Sequence, residues 1–118
     1  MTICTVYIGD LDDPTFNWEG GDWSGNIPKS ISDEFPSMRG HYNETYHAWV
    51  KKSGVECEQT DFGGWVSKVT KAQISEFIAE AYSGQEELSW VVDGLKKLKA
   101  LVVTLDEDRL YGLVATEF

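Results

Sequence analysis

The chain has 118 residues, 42% of them apolar and 13% aromatic, enough for one packed domain over 1–118 without disulfide or metal staples. Ten Lys and Arg face twenty Asp and Glu, a formal net charge of −10, which argues against direct binding to nucleic acid or an anionic membrane and favours a basic partner. No stretch reaches the ~20 apolar residues of a bilayer span, and the opening residues lack a secretory signal pattern, so a cytoplasmic protein is expected.

Residues 2–9, TICTVYIG, alternate and are rich in β-branched side chains, which predicts an opening strand. An irregular stretch follows over 10–28, DLDDPTFNWEGGDWSGNIP. It holds Asp10, Asp12, Asp13, Glu19 and Asp22, and residues 1–28 contain no Lys or Arg. Gly20-Gly21 is a turn signal, so the flanking segments could form a short hairpin with Trp18 and Trp23 on its two arms. An excursion of this length in a small domain is more often functional than idle. Residues 28–35, PKSISDEF, read as one or two helical turns, capped by Ser30 or Ser32 and closed by Pro36.

Over 42–52 the residues YNETYHAWVKK fit two templates. Tyr42, Tyr46, Trp49 and Val50 make a helical stripe, but the Thr, Tyr, Trp and Val content and the Lys-Ser-Gly that follows favour a strand. VECEQT at 55–60 alternates, with Val55 and Cys57 on one face and Glu56 and Glu58 on the other, and WVSKV at 65–69 follows a Phe-Gly-Gly turn. Three such strands in succession predict an antiparallel meander. A helix is expected over 71–83: Thr70 and Gln73 form a capping box, and Ile74, Phe77, Ile78, Ala81 and Tyr82 recur with helical spacing before Gly84. A second helix is expected at about 86–98, with Leu88, Val91, Val92, Leu95 and Leu98 as its stripe and Gly94 as a weak point. ALVVTL at 100–105 and LYGLVATEF at 110–118, joined by an acidic turn, read as central strands apolar on both faces. The expected fold is α+β: an antiparallel or mixed sheet of about five to six strands with two consecutive helices packed on one face.

Chemistry-bearing motifs are sparse. DLDD at 10–13 lacks the glycine and terminal glutamate of a calcium loop, with Thr15 and Gly21 standing where those residues belong. His41, His47, Cys4 and Cys57 show no zinc spacing, and both cysteines are expected to be reduced, buried thiols. No nucleophile elbow occurs, and Cys57 lies between Glu56 and Glu58, which oppose thiolate formation. The glycine pairs at 20–21 and 63–64 lack the lysine and helix of a phosphate loop. No metal, cofactor or catalysis is therefore expected.

Recognition remains. Aromatic side chains ringed by polar groups are the usual energetic centres of protein interfaces. The sequence thus points to an acidic, aromatic prong carried by Asp12, Asp13, Trp18, Glu19, Asp22 and Trp23, with Glu56, Glu58 and Asp61 as a secondary acidic patch. Such a surface suits a basic protein partner whose Lys and Arg otherwise meet phosphates. The expected function is stoichiometric inhibition, as by an immunity protein neutralising a nuclease-type bacterial toxin or a phage-encoded anti-defence inhibitor of a host nucleic-acid-binding complex. A small-ligand-binding module lined by Trp18, Trp49 and Trp65 is the alternative. The opposing arrangement folds the indoles back onto the sheet and leaves the carboxylates to solvate a loop.

Overall fold

The computed structural model describes residues 3–16, 18, 27–36, 42–61 and 64–117. In chain order the elements are β1 (Ile3–Gly9), α1 (Tyr42–Ser53), β2 (Cys57–Asp61), β3 (Gly64–Val69), α2 (Lys71–Ala81), α3 (Val92–Val103) and β4 (Tyr111–Glu117). The four strands form one sheet in the order β1-β4-β3-β2, and every neighbouring pair is antiparallel. The architecture is α+β. The last strand of the chain is thus inserted between the first and the third, and its residues 111–116 are all buried, as its two-sided apolar sequence requires.

One face of the sheet carries the helices. Val6, Ile8, Val69, Tyr111, Leu113 and Ala115 point into a core completed by Tyr46 and Trp49 of α1, Ile74, Phe77 and Ile78 of α2, and Leu95, Leu98 and Val102 of α3. Phe77 is the hub, with ring centroids of Trp49, Phe35 and Tyr46 at 5.4, 6.1 and 6.2 Å. Tyr46 is fully buried, and its hydroxyl lies 2.7 Å from Ser67 Oγ while donating to the Leu113 carbonyl at 3.2 Å. That network satisfies the polar atoms that α1 and the sheet would otherwise bury unpaired.

The other face is narrower and is covered by loop. Its central cross-strand row is Tyr7, Val114, Val66 and Glu58, and the next row is Gly9, Gly112 and Lys68. The two glycines let the first excursion approach. A Cβ on Gly9 would meet Pro28 Cγ at 2.8 Å and Val114 Cγ2 at 2.9 Å, and one on Gly112 would meet Val66, Leu11 and Pro28 at 3.1 to 3.4 Å. Tyr7 donates its hydroxyl to the Pro28 carbonyl at 3.2 Å. Both ends of the 10–28 segment therefore lie on this second face.

Several expectations are corrected. Residues 42–50 are helical, not a strand: Tyr46 and Trp49 both reach Phe77, which a three-residue spacing allows on a helix and alternation forbids. The following glycine, Gly54 at φ 71°, closes that helix, its N–H donating to the Val50 carbonyl at 3.1 Å, instead of turning a hairpin. Residues 100–103 extend α3, because Leu95, Leu98 and Val102 keep helical period into that segment. With those two segments helical, the described residues hold four strands and three helices, fewer strands and one more helix than expected.

The 28–35 segment is extended, not helical. It runs along the free edge of β1: Ile31 and Phe35 donate to the carbonyls of Ile8 and Val6 at 2.8 and 2.7 Å, and Ser30 bridges Gly9. Ser32, expected as a helix cap, accepts from the Ile8 N–H at 2.9 Å. The segment thereby covers a sheet edge. The expected second helix begins later, at Val92, after a series of turns over 82–91. Gly94 within it is explained by contact, since a Cβ there would sit 2.7 Å from Pro36 Cγ. The α2 prediction is matched closely: Gln73 N–H donates to Thr70 Oγ1 at 3.2 Å, and Thr70 N–H donates to Gln73 Oε1 at 2.9 Å.

Candidate partner-binding site

The acidic 10–13 loop is shaped by its own carboxylates. Asp10 Oδ1 accepts from the Asp12 N–H at 2.9 Å. Asp13 accepts from the Thr15 N–H at 3.0 Å, from the Thr15 hydroxyl, and through its other oxygen from the Lys29 N–H at 3.1 Å. Those donors, the Thr15 amide first, hold the Asp13 carboxyl below its ordinary pKa. Asp13 therefore joins the two ends of the excursion, and only Asp12, with 77% of its side chain exposed, presents an open carboxylate.

Arg109 brings a second acidic segment to this loop. Its Nη2 donates to Asp10 Oδ1, and its Nε lies 3.2 Å from Asp12 Oδ2 as an ion pair without hydrogen-bond geometry. The guanidinium centre sits 4.9 Å from the Tyr111 ring centroid, a cation–π contact that fixes the arginine from below. Arg109 belongs to the turn between α3 and β4, which carries Asp106, Glu107 and Asp108, all exposed. Asp106 Oδ1 accepts from the Asp108 N–H at 2.9 Å, and the Asp106 N–H donates to the Tyr111 hydroxyl at 2.8 Å. One end of the domain thus joins two acidic loops nearly a hundred residues apart in sequence around a single arginine.

Trp18 lies elsewhere along the same face. Its ring is half-buried, edge-on to Phe16 at 6.4 Å, with Lys68 Nζ 4.6 Å from its centroid. Lys68 also pairs with Glu56 of the secondary patch at 3.8 Å. The structure therefore brings Trp18 to Glu56 through one lysine, and Asp12 to the 106–108 turn through one arginine. Glu58 is half-buried beside Val66, and its Oε2 has no hydrogen-bond partner among the described residues. Glu19, Asp22 and Trp23, the Gly20-Gly21 turn, His41 and the side chains of Cys4 and Asp61 lie outside the described residues.

The residues that sequence reasoning missed are Asp106, Glu107, Asp108 and Arg109. The signal was the run Asp-Glu-Asp-Arg itself, which reads as a solvated turn until the β1–β4 pairing sets it against the first loop. Of the three tryptophans considered for a ligand pocket, Trp49 and Trp65 pack on the helix-covered face and Trp18 on the other, so they share no cavity. Cys57 is a free, half-buried thiol 3.8 Å from the Tyr46 hydroxyl. Among the described residues no group of three His, Cys, Asp or Glu side chains converges as a metal cage, and no helix is long and apolar enough to cross a membrane. Comparison of the chain with protein-family models, with curated proteins and with solved structures finds no match.

Proposed function

We propose that this chain is a small acidic inhibitor that binds a basic protein and blocks it by occupancy, without chemistry of its own. The partner class that fits is a nuclease-type toxin, which would make the chain its immunity protein. The observation that carries this reading is the paired acidic end: Asp10 and Asp12 lie against Arg109, which directly follows Asp106, Glu107 and Asp108 in its turn. With Asp13 and Lys29 beside the same loop, six carboxylates stand against two cations and leave an excess of negative charge in a chain already at −10. Such a field steers a cationic cleft into register and accelerates its capture. Trp18, half-buried and already in a cation–π contact with Lys68, supplies aromatic surface of the kind interfaces use as anchors.

The test is a pull-down from the native host with the full-length protein, followed by a growth-rescue assay against any nuclease toxin recovered. A basic protein retained at equal stoichiometry is expected. Its loss on combined Asp12→Asn, Asp106→Asn, Glu107→Gln and Asp108→Asn, with the melting temperature unchanged, would assign contact to the acidic end. Retention that survives this variant but fails with Trp18→Ala and Trp23→Ala would move the contact to the aromatic side. A variant-insensitive interaction, or no basic partner at all, overturns the reading. A phage anti-defence role differs only in the partner recovered, a host nucleic-acid-binding complex instead of a toxin.

A further inference from the structure

Helix α2 separates two furrows of opposite character. The one it shares with α1, about 740 Å³, has Trp49 at its floor and Glu76 and Glu80 on its wall, with Lys52 paired to Glu80 at 3.3 Å. The one it shares with α3 is smaller, about 300 Å³. Ile78 and Val102, both nearly buried, form its apolar floor, and the exposed Ala79 and Val103 and the Ser75 side chain line it further out. Lys71 and Lys99 stand at its sides, and among the described residues no carboxylate lines it.

That combination runs against the rest of the molecule. Acids outnumber bases two to one in the chain, yet among the described residues the charged groups lining this furrow are both ammonium groups. Lys99 has no acidic partner among the described residues. Lys71 donates to the Val103 carbonyl at 3.0 Å, which holds its ammonium at the mouth of the furrow with two N–H donors still available. Val103 is 73% exposed, the most exposed of the large apolar side chains among the described residues. Exposed apolar side chains, Val103 and Ala79, beside two lysines with no acidic partner among the described residues make a surface with a missing complement.

We propose that the α2–α3 furrow docks an acidic amphipathic helix of a protein partner. The shape favours a helix, because a furrow between two helices accepts the side-chain ridge of a third. The sign of the charge selects its chemistry: apolar side chains enter over Ile78 and Val103, and flanking carboxylates fall on Lys71 and Lys99. A purely apolar segment would leave both ammonium groups unused, and a basic one would be repelled. This site takes the opposite charge from the partner of the acidic end, so it stands independently of the inhibitor reading.

The experiment titrates two synthetic helical peptides into the full-length, isotopically labelled protein and follows amide shifts by NMR. Both peptides carry leucines at i, i+3, i+4 and i+7, one flanked by glutamates and the other by lysines. The glutamate peptide is expected to shift α2 and α3 amides saturably, and the lysine peptide to leave those amides unmoved. Lys99→Glu and Val103→Ser are each expected to weaken the glutamate peptide about tenfold, with an unchanged melting temperature because both side chains are exposed. The proposal is overturned if the glutamate peptide gives no saturable shifts there, if the lysine peptide matches it, or if Lys99→Glu has no effect. Concentration-dependent shifts of the same amides without peptide would give the furrow to a second copy of the chain, and tighter binding of decanoate would give it to a small carboxylate; either result also overturns the proposal.

Discussion

The two faces of the sheet are built by different means. The helix-covered face is closed by periodic apolar stripes from three helices, and its buried polar atoms are matched within the fold, as at Tyr46 and Ser67. The loop-covered face is closed by irregular chain lying on glycines, with Leu11 and Pro28 fitted against Gly9 and Gly112, and it carries charged side chains into the cover: Lys68 under Trp18 and Glu58 beside Val66. The first face holds the large cluster of buried apolar side chains. The second carries charged side chains, and there Trp18 and Glu58 of the candidate binding residues lie.

The largest expected effect lies on the first face. Phe77→Ala removes the ring that Phe35, Tyr46 and Trp49 share, and denaturant melts should show a loss of about 3–5 kcal/mol. On the second face the sensitive change is an addition. Gly9→Ala sets a methyl within 2.8 Å of Pro28 and 2.9 Å of Val114, and overpacking of this kind costs about 1–3 kcal/mol. A melt showing Gly9→Ala neutral would mean that the loop lies loosely and that the two faces differ less than the contacts imply.

The contrast also explains what the sequence could reveal. Helix α2 was legible because its cap and its stripe are both local, from Thr70 and Gln73 to Ile74, Phe77, Ile78 and Ala81. Residues 42–50 and 100–105 misled because Tyr, Trp and Val favour strands by intrinsic preference, while a shared core around Phe77 and Leu98 imposes helical spacing. The edge-covering role of 28–35 was illegible for a different reason: it depends on β1 backbone groups that no side-chain pattern marks. The candidate site divides in the same way. Asp12, Asp13 and Trp18 could be singled out from composition, whereas the addition of Asp106–Asp108 through Arg109, and the structural use of Asp13, follow from strand pairing and loop closure alone.

A tyrosine on each face reports on the comparison through pH. Burial, its largest cause, pushes Tyr46 well above the ordinary value of 10.0, and burial also pushes Tyr7, under Pro28, up to about 12. A raised folded-state value means that the unfolded chain releases the phenolic proton first, so stability is full below pH 10 and falls as pH rises through the folded value. Urea melts across pH 9 to 12 should therefore lose stability steeply in the native chain. Tyr7→Phe should remove part of that slope at little expense at neutral pH. Tyr46→Phe should remove more of it, but at a neutral-pH loss of about 1–3 kcal/mol, because the buried Ser67 hydroxyl loses its partner and the Leu113 carbonyl loses a donor. Equal slopes in both variants would show that the two hydroxyls are equally shielded.

The smallest expected stability change separates scaffold from contact within the acidic end itself. Asp10 is engaged three ways, by Arg109, by the Asp12 N–H, and through its own N–H, which donates to the Lys29 carbonyl at 2.8 Å; among the described residues the Asp12 carboxylate has only the sidelong ion pair to Arg109 Nε, and it is 77% exposed. Exposed ion pairs contribute about 0–1 kcal/mol, so Asp12→Asn should leave the melting temperature almost unchanged while Asp10→Asn lowers it measurably. If the acidic end grips a basic partner, the order reverses in binding: Asp12→Asn should slow association, and the deficit should shrink as salt rises, because the steering field it removes is screened over about 10 Å at 0.1 M ionic strength. Asp12→Asn that weakens stability more than Asp10→Asn would mean that Asp12, not Asp10, holds Arg109, and the outward carboxylate would have to be sought among Asp106, Glu107 and Asp108.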